Sequence, residues 1–326
     1  MQSFINSRTR VGSRPFHLAT LGLLICLLAA CGSSNSGNGA SATGGKCSGL
    51  DTITPGTLKV AIQSFMPIVG EVNGQATGLD GDNLTYIAGQ LGCKLELQIS
   101  DSAGNLAAVQ SHRVDATVGA WAWTTARAKA GRFTDPLYYQ PVVLAERKGT
   151  NITRVSQFSG KNLCTLTGFA FIPAMQQIKD ANVRTYPTIA TQLLDIQAGR
   201  CDVGFGNPLV QPYAIANNPA LKDLAVEYLQ PSDAAEVAAA PLFASVIDGY
   251  QDAFYLNGES AKLEEAMNPI IDGMITSGKE ASLLKQWGIT DTKFWLVPRA
   301  SLADQRKGVD RPSDWRATAC AGSSCG

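Results

Sequence analysis

Thr57-Leu58-Lys59-Val60-Ala61-Ile62, then Gly78-Leu79-Asp80 ahead of Leu84, Ile87, Ala88 and Leu91, then Lys94-Leu95-Glu96-Leu97-Gln98-Ile99: this stretch decides the fold. The first segment alternates apolar and polar residues, which is a strand period. The second places apolar residues at i, i+3, i+4 and i+7, a helical stripe, with Asp80 as the expected N-cap and Gly92 as the stop. The third alternates again, with Leu95, Leu97 and Ile99 inward and one solvated face, as on an edge strand. A short helix over 105–111, a more continuously apolar strand over 115–120 and a helix starting at Thr124 complete a β-α-β-α-β run. That order predicts a small parallel α/β sheet.

The pattern then repeats. Residues 136–147 read as extended. A strand at Asn162–Leu166, a helix over 173–180, a strand over 183–186, a helix over 188–198 between Thr188 and Gly199, and a strand over 201–205 form a second unit. After a polar, Ala-rich stretch (230–240), residues 248–256 are extended again, and helices follow over 261–276 and 279–287. Two α/β units joined by two extended segments predict two lobes: 51–145 with 250–300, and 146–249. The hinge is expected near 144–147 and 248–256, and 301–326 reads as a surface extension. Ligands of open parallel sheets bind at the carboxyl ends of strands, which here fall at 63–67, 119–125, 167–171 and 206–208.

Composition bounds the function. At 326 residues and 45% hydrophobic, the chain can bury one large or two modest cores. Lys+Arg and Asp+Glu are both 27, so no basic excess argues for nucleic acid. The two histidines, His17 and His112, leave no basis for a His-rich metal site or for His-based nucleophilic catalysis. No metal or cofactor is expected. Arg8, Arg10 and Arg14 precede an apolar run over 18–30 that is too short to span a bilayer, which is the pattern of an export signal over residues 1–30. Leu28-Ala29-Ala30-Cys31 resembles the bacterial lipoprotein signal, which implies a lipid, palmitate included, on Cys31. The Gly- and Ser-rich stretch that follows makes 31–50 a flexible tether to a membrane surface. Beyond it stand Cys47, Cys93, Cys164, Cys201, Cys320 and Cys325. An even number outside the cytosol implies three disulfides, with the connectivity open.

The body resembles the bacterial periplasmic amino-acid-binding proteins, the family 3 solute-binding subunits of ABC importers. The resemblance rests on Gly56-Thr57-Leu58-Lys59-Val60-Ala61, Thr77-Gly78-Leu79-Asp80-Gly81-Asp82, Thr124-Thr125-Ala126-Arg127-Ala128-Lys129 and Arg132-Phe133-Thr134-Asp135-Pro136-Leu137. It rests also on Ala198-Gly199-Arg200-Cys201-Asp202 and Leu284-Lys285-Gln286-Trp287-Gly288. It implies a two-lobed type II clamp that closes on one small solute and works as a monomer with a membrane permease. It also implies a Cys164–Cys201 bridge; Cys47–Cys93 and Cys320–Cys325 are the expected remaining pairs.

By the same resemblance Arg127 grips a ligand carboxylate. Independently, an Arg in the first turn of a helix is placed against the macrodipole, and an anion arriving there would satisfy both; the plain alternative is an Arg reaching into water. The backbone of Ala122 is the expected second donor. Gly119, Ala120 and Ala122 stand where relatives often carry hydroxyls, as do Phe169 and Ala170 on the second lobe. Phe65 matches an aromatic that packs on the ligand, or is simply core. Trp121 and Trp123, flanking Ala122, should point behind the loop. Asn207 replaces the acid that pairs with a ligand ammonium, and Asp80 or Glu71 are the nearest substitutes in sequence. Gln63 and Ser64 offer no acid, which disfavours Lys or Arg as solute. Together these residues point to a neutral or anionic, partly apolar carboxylate. Two rival readings share the body: a ligand-sensing lipoprotein signalling to a membrane receptor, and a dehydratase-like enzyme, which would need a general acid in the cleft.

Overall fold

A computed structural model describes residues 46–230, 233–298 and 300–325. The expected signal, Cys31 and most of the tether lie outside the described residues. In chain order the elements are β1 Thr57–Ile62, β2 Gly70–Val72, β3 Gln75–Thr77, α1 Leu79–Leu91, β4 Lys94–Ile99, α2 Ser102–Gln110, β5 Ala116–Thr117, α3 Thr125–Ala130, β6 Arg132–Phe133, β7 Tyr138–Gln140, β8 Val143–Arg147 and β9 Asn162–Leu166. Then come α4 Ile172–Met175, β10 Asn182–Tyr186, α5 Ile189–Gln197, β11 Val203–Gly206, α6 Val210–Ala216, β12 Leu224–Tyr228, α7 Ala234–Ala239, α8 Phe243–Asp248, β13 Tyr250–Asp252, β14 Tyr255–Leu256, α9 Ala261–Thr276, α10 Lys279–Gln286, α11 Thr292–Leu296 and α12 Ala300–Asp304.

The strands form two five-stranded sheets, β4-β1-β5-β14-β6 and β10-β9-β11-β8-β12. In the first, β1 runs parallel to β4 and β5, and β14 returns antiparallel. In the second, β9 runs parallel to β10 and β11, while β8 lies antiparallel to β11 and β12. Each sheet is the floor of one lobe of a type II clamp. The α1 stripe of Leu84, Ile87, Ala88 and Leu91 is buried against the first sheet as its period requires.

Several local expectations are corrected. The N-cap of α1 is Gly78, not Asp80. β4 is an edge strand as its alternation demands, but Ile99 at its end is 57% exposed. α2 starts earlier than expected because Asp101 accepts the Gly104 N–H at 2.7 Å. β8 pairs within the second sheet, so the first crossing between lobes precedes Leu144. It lies at β7, which pairs antiparallel with β13 to make a two-stranded ribbon between the lobes.

Disulfides join Cys47 to Cys93, Cys164 to Cys201 and Cys320 to Cys325. The segment after residue 300, expected at the surface, is built into the first lobe. Arg306 is 0% exposed and donates to the carbonyls of Phe133 and Thr134 and to Asp310. Arg311 pairs with Asp135 and Glu264, each at 2.8 Å. Leu302 O accepts from Gln251 in β13, and α12 packs on α8 of the second lobe. Arg132 pairs with the buried Glu264. Among the described residues no helix is long and apolar enough to cross a membrane.

Candidate functional site

The carboxyl ends of β1, β5, β9 and β11 converge on one cleft between the sheets. From the first lobe come Gln63, Phe65, Ala120, Trp121, Ala122 and Arg127; from the second, Gly168, Phe169, Ala170, Phe171 and Asn207. Ser102 and Gln140 also line it, and neither was expected. Phe65 is set by a tight turn in which its N–H donates to Val69 O at 2.8 Å. It meets Phe169 edge to face across the cleft, with centroids 5.9 Å apart, so the lobes are in contact.

Arg127 occupies the centre. Thr124 caps α3 by accepting the Arg127 N–H at 3.2 Å, which fixes where the side chain leaves the helix. The guanidinium donates to Ala122 O and to Gly168 O, both at 2.7 Å, and so bridges the two lobes. Trp121 does not turn behind the loop as expected: its ring lies 4.8 Å from the guanidinium carbon. Trp123 does, donating to Asp310 in the C-terminal segment. Burial lowers the Arg127 pKa to about 10, with Tyr250, Tyr255 and Asp252 opposing the drop. Among the described residues no carboxylate forms an ion pair with it. Two of its five N–H groups are used, leaving donors for an anion. Ala122 bridges Asp252 as a non-hydrogen-bonded pair, so its N–H also points away from β13.

Asp80 does not line the cleft. Its Oδ2 accepts the N–H groups of Gly119 at 2.9 Å and Ala120 at 2.7 Å, and Oδ1 accepts Tyr138 Oη–H at 2.9 Å. It therefore holds the turn that presents Ala120, a non-glycine residue at φ 56°. Gly119, at φ 123°, is required there because a Cβ would meet Val69 Cγ1 at 2.8 Å. Burial pushes the Asp80 carboxyl up to about 6 against its three hydrogen bonds. On the second lobe the Phe169 N–H donates to Leu166 O at 3.2 Å and is not open to a ligand.

Asn207 lines the cleft at 4% exposure. It donates to Gln140, whose Nε2 donates to Asp252 Oδ1 at 3.0 Å. Asp252 is 1% exposed, and its Oδ2 has no hydrogen-bond partner among the described residues. Burial raises its carboxyl well above the ordinary range; the charge of Asp80 adds to the rise and Arg127 opposes it. Asp252 does not itself line the cleft; it is held behind Gln140, and Glu71 lies on the exposed strand β2, away from the site.

Two α/β lobes joined by a ribbon, with a guanidinium in the cleft between them that has no carboxylate partner among the described residues, have the form of a two-lobed solute-binding clamp. The chain belongs to the bacterial extracellular solute-binding proteins, family 3, whose profile matches residues 58–290. It is 25% identical over 183 residues to the probable amino-acid-binding protein YxeM of Bacillus subtilis (strain 168), a match spanning 55% of this chain and 65% of that one. It is 24% identical over 139 residues to an arginine-binding periplasmic protein of Mannheimia haemolytica, spanning 42% of this chain and 56% of that one. The matches thus cover less than two thirds of either relative. A crystal structure of the substrate-binding protein of an amino acid ABC transporter superposes with TM-score 0.61 at 22% identity, over 72% of this chain and 99% of that one. An ancestral arginine-binding protein bound to arginine does so with TM-score 0.60 at 20% identity, over 72% and 98%.

Proposed function

We propose that the protein is the extracytoplasmic solute-binding component of an ABC importer, and that it binds an amino acid or amino-acid-like small carboxylate between its lobes. One observation carries the reading: Arg127 is enclosed in the cleft without an anionic partner among the described residues, and already reaches from one lobe to the other. A carboxylate there would meet the guanidinium and the Ala122 N–H together, and a solute touching both lobes favours the closed clamp. Phe65, Phe169 and Phe171 would enclose its apolar part. Gln63, Ala120, Ala170 and Asn207 would shape the remaining wall. Family membership supports a binding role rather than catalysis, and a lipid on Cys31 would hold the protein at a membrane beside its permease. The test is a thermal-shift screen across amino acids, oxo acids and small organic acids, followed by calorimetry. A solute at 100 times its Kd stabilises by about 2.7 kcal/mol. Arg127→Ala should keep the fold and lose about 2–5 kcal/mol of binding; unchanged affinity would remove the reading.

A further inference from the structure

The hydrogen bonds on the second-lobe side of the cleft have a fixed sense. Backbone N–H groups can only donate, and those of Leu209 and Val210 meet Asn207 Oδ1 at 2.8 and 3.2 Å. This settles the orientation of the Asn207 amide, so that Nδ2 faces Gln140. Gln140 must then present Oε1 to Asn207, which turns its Nε2 to Asp252 Oδ1. Two backbone amides at the start of α6 thereby set the direction of three side chains in series.

The wall that results is rich in donors. Asn207 and Gln140 each spend their oxygen on a neighbour and keep a second N–H on the nitrogen. Gln63 Oε1 accepts from Ser102 Oγ at 2.6 Å. The carbonyls of Ala122 and Gly168 accept from Arg127. The two buried carboxyls near the site are screened from it. Asp252 lies behind Gln140, and Asp80 lies beneath the turn of Gly119 and Ala120.

We infer that the cleft selects a 2-oxo or 2-hydroxy acid over the 2-amino acid of the same carbon skeleton, with Gln140 and Asp252 as the positioning residues that set this preference. The inference rests on the carboxylate-binding reading of Arg127. An ammonium needs a counter-charge as well as acceptors, and among the described residues no carboxylate lines the cleft. Asn207 Oδ1 has both lone pairs taken by the Leu209 and Val210 N–H groups, and Gln63 and Gln140 keep only one neutral lone pair each, so enclosing the charge there is costly. An oxo or hydroxyl oxygen instead accepts the spare N–H of Asn207 or Gln140. The three phenylalanines of the lining suit an aliphatic or aromatic body.

Matched pairs test this by calorimetry on the purified chain: 4-methyl-2-oxopentanoate and 2-hydroxy-4-methylpentanoate against L-leucine, and phenylpyruvate and phenyllactate against L-phenylalanine. The oxo or hydroxy member of at least one set should bind about tenfold tighter or more than its amino counterpart. Asn207→Asp gives Gln140 Nε2 a carboxylate to bond and so reverses the series; it should narrow or invert that ratio. Where Asn207→Asp does not fold, Gln140→Met, which cuts the series without adding charge, should weaken discrimination. An amino acid bound as tightly as its oxo and hydroxy partners in both sets overturns the inference and leaves the Arg127 reading standing. A preference unchanged in the variants overturns the role of the series. No binding by any member of either set, in a protein that folds, overturns the inference and the carboxylate reading together.

Discussion

The carboxyl of Asp80 sits at 3% exposure beneath the turn of Gly119 and Ala120, with Tyr138 as its hydroxyl donor and Glu280 as an acidic neighbour. Burial raises Asp80 from 3.8 to about 6 and Glu280 from 4.5 to about 8. Both groups take up protons on folding. Their effect on stability is therefore most favourable below the unfolded values and is lost as pH rises through the folded ones. For Asp80 the loss falls between about pH 4 and 6 and is on the order of 3 kcal/mol. Asp80→Asn should flatten that part of the stability profile in urea unfolding at stepped pH; a profile parallel to wild type would refute the assignment. Arg127 was legible because Thr124 caps the helix that carries it, whereas Phe65 was marked only by the family resemblance, and the turn to Val69 that fixes it was not read. Gln140 and Asp252 were not, since each acquires its place from a partner 112 positions away.

At the scale of elements, the bridge from Cys164 to Cys201 ties β9 to the approach of β11 across a separation of 37 residues. Closing a loop of that length restricts the unfolded chain by about 3–4 kcal/mol. The double variant Cys164→Ser/Cys201→Ser should lose about that much in denaturant unfolding while keeping its far-ultraviolet circular dichroism. A midpoint equal to that of wild type would mean that the cross-link contributes nothing. Elements with a clear period, β1, α1 and α5, were readable to within a residue or two. α7 was not: Ala234–Ala239 carries no apolar stripe, and its signal is the reciprocal cap between Asp233 and Glu236. β12 escaped because it is a short edge strand whose partner, β8, lies far upstream and was read as part of a crossing. β5 proved to be only Ala116–Thr117, since the apolar residues after it leave the sheet to form the cleft wall.

For the whole molecule, the ribbon of β7 and β13 carries the chain between lobes, and α12 against α8 adds a further contact from beyond the family-matched residues. Opening must bend the ribbon and part Phe65 from Phe169 and Arg127 from Gly168. Small-angle scattering should show a smaller radius of gyration with saturating solute than without it, and no contraction in Arg127→Ala. Equal radii with and without solute would argue against a clamp that closes.

The indole of Trp121 forms part of the cleft wall and lies face-on to Arg127. An anion arriving at that guanidinium changes the electric field across the ring and displaces whatever solvent reaches it. Trp123 and Trp295, by contrast, are packed against protein on their own side of the fold. The protein thus carries a native optical reporter at the proposed binding position, where occupancy would be followed by emission wavelength and quenching without attaching a dye.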